Sequence, residues 1–198
     1  MRLNALTALS LTALAALVGC DRSIEPAAPP VDQAEATTPA ATPAAPAQIA
    51  GGLAIEGEGL RIFDAEGAAR ALPFGTPQET VITAVTATTG GVAPEQSTNA
   101  ECGQGPVQQA AYANGLQLLF QDGEFRGWFL DEAGLTTVDG VGVGATRAAL
   151  NAARTVELQP DSTLGVEFTA GDVMGFLTSA DASGTVASLY AGETCFFR

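Results

Sequence analysis

Carboxylates are the only abundant side chains in this chain that could move a proton near neutral pH. There are 22 Asp and Glu against 8 basic residues, every one an Arg; with no Lys and no His the formal charge is −14. Acids fall in close pairs at Glu56/Glu58, Asp64/Glu66, Asp122/Glu124 and Asp131/Glu132. Two carboxylates held together could coordinate calcium, or divide acid and base roles in a hydrolysis. Nearly all of these pairs stand beside Gly in turn-like sequence, where acids accept hydrogen bonds from nearby backbone N–H groups. None has calcium-loop spacing. They read as solvated turns, and no catalytic or metal-ligating residue is assigned from them.

The missing residue types narrow the chemistry further. Without His there is no Ser-His-Asp or Cys-His relay and no imidazole ligand. Without Lys there is no Schiff base and no phosphate-loop lysine. A carboxylate-dependent hydrolase of envelope polymer is the enzymatic alternative that remains, and the expectation is a protein that is not an enzyme. Gly140-Val141-Gly142-Val143-Gly144-Ala145 fits the Gly-x-Gly-x-x-Ala turn of dinucleotide sites. The strand before it is weak and no βαβ unit follows. Gly144 reads better as the entry to a helix, and no cofactor is expected.

Cysteine chemistry is set by position. Met1-Arg2-Leu3-Asn4 carries one positive charge, and Ala5 to Val18 are all Ala, Leu, Val, Thr or Ser. That is a signal-peptide pattern, shorter than the roughly 20 apolar residues of a spanning helix. Leu17-Val18-Gly19-Cys20 resembles the lipobox of bacterial lipoproteins. The resemblance implies a signal peptide over residues 1–19, cleavage before Cys20, and acylation of its sulfur and amine. Several acyl chains anchor stably where one binds only marginally. The implied address is the bacterial cell envelope, lipid-anchored and facing the periplasm. Asp21 resembles an enterobacterial inner-membrane retention signal, and the choice between inner and outer membrane stays open. With Cys20 lipidated, Cys102 and Cys195 remain. In an exported, oxidising setting they read as one disulfide, with two buried free thiols as the alternative.

Strong acidity argues against nucleic acid as a partner, because phosphate binding needs a basic patch. It also argues against electrostatic attachment to anionic lipid. Membrane contact is therefore expected through the lipid anchor alone.

The elements that would position these residues begin after a linker. Residues 20–52 comprise the lipidated Cys and a Pro-, Ala- and Thr-rich tether without apolar periodicity. Extended at about 3.1 Å per residue, its roughly thirty residues reach on the order of 90 Å. Residues 53–198 read as one globular domain with an internal repeat, in units of about 60–135 and 136–198. Gly75-Thr76-Pro77 and Gly144-Ala145-Thr146 each read as a helix start, followed by Val81, Ile82 and Val85 or by Leu150 and Ala153 at helical spacing. The pattern Phe-x-x-Gly-acid-apolar-x-Gly-aromatic occurs at Phe120–Trp128 and again at Phe168–Phe176. Each copy reads as a β-hairpin. Further strands are expected at Leu60–Phe63 and Val186–Tyr190. The residues around Asn99–Pro106 read as an irregular insertion. The expected fold is α+β: two helix plus β-hairpin repeats forming a mostly antiparallel sheet, with helices on one face. In the first hairpin, alternation sets Trp128 on the opposite face from Phe125 and Phe129. Trp128 is then either core or a partner-contacting aromatic.

Tandem units of this kind, opening on Val143-Gly144-Ala145-Thr146-Arg147-Ala148-Ala149-Leu150, resemble the envelope domains related to BamE (SmpA/OmlA) and the β-lactamase inhibitor protein. The Glu101-Cys102-Gly103-Gln104-Gly105-Pro106 segment is similar to one in alphaproteobacterial envelope lipoproteins, a resemblance that implies no activity. The expected function is a membrane-anchored, non-catalytic binding or assembly module for a periplasmic protein partner. A small-ligand or inhibitor-binding domain is the further alternative.

Overall fold

The computed structural model describes residues 52–195. Three strands come first: β1 (Leu53–Glu56), β2 (Gly59–Phe63) and β3 (Ala69–Pro73). Helix α1 (Gln78–Thr88) is followed by β4 (Glu95–Asn99), β5 (Val107–Ala111), β6 (Leu116–Gln121) and β7 (Glu124–Leu130). Helix α2 (Arg147–Ala153) is followed by β8 (Glu157–Leu158), β9 (Val166–Ala170), β10 (Val173–Leu177) and β11 (Val186–Gly192). Strands β1 to β3 form one sheet; the other eight form a second, in the order β4-β5-β6-β7-β11-β10-β9-β8. Every pairing of neighbouring strands is antiparallel. Two four-stranded meanders thus meet at β7 and β11, where Leu130 faces Leu189 and Trp128 faces Ala191.

This corrects the expected α+β class. The regular structure of the described residues is mostly antiparallel strand, with two helices of only 11 and 7 residues. The reason lies in how little apolar surface those helices carry. Only Val81 and Val85 of α1 and Leu150 of α2 are fully buried, which is too narrow a stripe to cover an eight-stranded sheet. The small sheet supplies the rest of the cover: Leu53, Ile55, Leu60 and Leu72 join one core with Val81, Leu118, Trp128, Phe168 and Leu189. The irregular insertion holds over residues 100–106, but its flanks form an unexpected hairpin, β4–β5, with Asn99 paired to Val107. Strands of the composition Glu-Gln-Ser-Thr-Asn show no apolar alternation to read.

The hairpin turns follow from local chemistry. Asp122 and Gly123 both have positive φ, at 54° and 78°, as the two-residue turn between right-twisted strands requires. The second Gly of each repeated pattern answers to crowding instead. A Cβ on Gly127 would stand 2.3 Å from Glu193 O, and one on Gly175 2.3 Å from Ser188 O. Both glycines let the backbone around β11 pass closely on either side, which explains their recurrence in the two halves.

Candidate functional site

Cross-strand partners in a sheet share a face, so register shows what each side of the eight-stranded sheet presents. Leu130, Leu189, Gly175 and Phe168 lie in line across β7, β11, β10 and β9, on the core side with the helices and the small sheet. The opposite face carries a different set. Tyr190 is paired with Phe129 on one side and Met174 on the other, and Phe176 is paired with Glu167 and Ser188. Leu119 of β6 continues this face.

Glu167 is the centre of the cluster. It is 3% exposed, the most buried acid among the described residues. The hydroxyl of Tyr190, itself 1% exposed, donates to Glu167 Oε1. The Phe176 and Tyr190 rings lie 5.8 Å apart between centroids, tilted by 31°, within the range of attractive ring pairs. A buried carboxylate is costly unless it is hydrogen-bonded, so keeping Glu167 fixes Tyr190 and, through it, the ring array. Chemically the arrangement favours recognition. Ring faces are electron-rich and attract cations, the carboxylate accepts hydrogen bonds, and Phe129, Phe176 and Met174 are half-buried apolar surface.

Sequence reasoning did not find Glu167 or Tyr190 as a pair. They stand 23 residues apart on strands separated by β10. The available signal was a lone acid inside the apolar run Val166-Glu167-Phe168, on a strand whose other face is core.

The residues singled out from sequence fall as follows. Cys20 lies outside the described residues. Cys102 and Cys195 are at disulfide distance, with Cα atoms 5.6 Å apart. They tie the loop after β4 to the chain just beyond β11. Trp128 as a partner-contacting aromatic is corrected: it is 0% exposed, and its Nε1–H donates to Glu56 O at 2.8 Å. It is the polar stitch between the two sheets, and Phe129, one residue later, faces the other way. The acid pairs stay at turns and strand ends, with Glu56 closing β1 and Glu124 opening β7. Asp64 Oδ1 accepts from the backbone N–H of Glu66 and Ala68, and Asp122 forms the β6–β7 turn. Gly140 to Ala145 make a looped entry to α2. There Thr136 bridges Gly142, and Thr146 Oγ1 caps the helix by accepting from Ala149 N at 3.2 Å.

A second polar knot ties that loop down. Arg154 donates from Nε to Asp139 Oδ2 at 2.7 Å and from Nη2 to Oδ1 at 2.8 Å. Thr137 Oγ1 also donates to Asp139. The Arg154 guanidinium holds the Asp139 carboxyl below its ordinary value, against an opposing push from partial burial. The knot binds the loop before α2 to the residue that ends that helix. No protein-family model, curated protein or solved structure matches this chain.

Proposed function

We propose that this chain is a lipid-anchored envelope protein whose domain acts as a non-catalytic docking module for a periplasmic protein partner, bound on the aromatic face of the eight-stranded sheet. The observation that carries the reading is the composition of that face: half-buried Phe129, Phe176 and Met174 beside the buried Leu119, Tyr190 and Glu167, on the side away from the helices and the small sheet. Aromatic anchors around a desolvated polar centre are what protein interfaces concentrate. The lipobox-like Leu17–Cys20 and the Pro-rich segment after it support a tethered position at the membrane. The net charge of −14 supports a partner with a basic rim, since complementary potentials steer encounter. A photocrosslinking amino acid placed at Phe129 or Phe176 in native envelopes tests this; adducts to a discrete protein are expected.

A further inference from the structure

One cavity shares no residue with the aromatic face. It opens between the end of α1, the start of β1, the β5–β6 turn and the loop at 134–136, and encloses about 970 Å³. That is the size of a small-molecule site. Its apolar wall includes Leu53, Val92, Tyr112 and Leu135. Val92 is 68% exposed, the most exposed large aliphatic side chain among the described residues, and it stands at this cavity.

The polar groups around the wall are mostly engaged. Thr88 Oγ1 and Thr89 Oγ1 both donate to Val85 O at 2.9 Å. Asn114 Oδ1 accepts from Leu116 N, and the Tyr112 hydroxyl meets Thr86 Oγ1 and donates to Ile82 O. Glu95 is the one charged residue of the lining. An apolar chamber with a single carboxylate, in a protein of charge −14, complements one kind of ligand. We infer that this cavity binds a compact apolar molecule carrying one positive charge, a lipophilic amine, with its body against Leu53, Tyr112 and Leu135 and its ammonium toward Glu95. Anionic amphiphiles of the same shape are disfavoured, because the lining holds no cation to receive them.

Three probes with the same cage separate the contributions: 1-adamantylammonium, 1-adamantanol and 1-adamantanecarboxylate, titrated calorimetrically into the full chain carrying Cys20→Ser. The amine is expected to bind most tightly and the carboxylate at least about tenfold more weakly. Glu95→Gln should bring amine and alcohol together. Val92→Arg changes an exposed position, so its fold is retained, and should weaken the amine at least about tenfold. Ala93→Trp, which intrudes on the chamber, should weaken all three. Overturning results are no heat from any probe, equal binding of all three unchanged by Glu95→Gln, or amine binding untouched by both Val92→Arg and Ala93→Trp.

Discussion

Glu167 shows what a single residue can demand of its surroundings. An acid inside a strand, 3% exposed, is tolerated only with hydrogen bonds to offset its lost hydration. Tyr190→Phe keeps the ring and removes the donated bond. A hydrogen bond contributes about 0.5–1.5 kcal/mol, so urea unfolding should show a loss of about 1 kcal/mol. Retention of wild-type stability would place the support of Glu167 elsewhere. Asp139 makes the complementary case at a partly exposed site. Its carboxyl is held below the ordinary 3.8 chiefly by Arg154. A depressed acid contributes stability that is full above the unfolded value and fades as pH falls through the folded one. Arg154→Met should therefore destabilise at pH 7 and converge with wild type only as the pH falls through the depressed value of Asp139, below 3.8. Parallel loss at both values, read from urea midpoints, would mean that packing of the Arg154 stem dominates over the ion pair.

At the scale of elements, the domain is held by stitches between pieces that bury little on their own. The β4–β5 hairpin is the clearest instance. Strand β4 is polar throughout and at the sheet edge, and the Cys102–Cys195 link closes a separation of 93 residues. Loop closure of that length contributes about 4–5 kcal/mol in the chain-entropy treatment. Reduction should lower the melting temperature and raise amide exchange first in β4, β5 and the 100–106 loop; uniform exchange across the sheet would argue against a local tie. The same contrast decides what could be read in advance. The hairpins β6–β7 and β9–β10 were legible because an apolar run, a Gly-containing turn and a returning apolar run are local signals. Strands β4 and β5 were not, since they pair through backbone hydrogen bonds while their mostly polar side chains show no apolar alternation. Strands β1 and β3 were missed beside the recognised β2, and with them the fact that a second sheet, more than the helices, covers the core. Trp128 was legible as facing away from Phe129; which of the two faces is core depends on what packs there, and that is decided by residues 53–72, far away in sequence. The Glu167–Tyr190 centre of the candidate site is likewise a product of strand order.

For the molecule as a whole, the proposed function needs an anchor, a tether and a docking face. No helix among the described residues is long and apolar enough to cross a membrane. In this account, attachment runs through Cys20 alone. Cys20→Ser should move the protein from the membrane pellet to the soluble fraction after osmotic lysis; retention in the pellet would contradict a lipid anchor as the sole attachment. An aromatic face on the main sheet of such an anchored domain is suited to engage a protein partner. The most direct test of that claim is photocrosslinking in native envelopes from four positions. Phe129 and Phe176 lie on the aromatic face, while Thr83 and Ala148 are exposed positions on α1 and α2. The account predicts a discrete adduct from Phe129 and Phe176, lost on Glu167→Ala, and none from Thr83 or Ala148. Adducts confined to Thr83 and Ala148, with Phe129 and Phe176 silent, would contradict it.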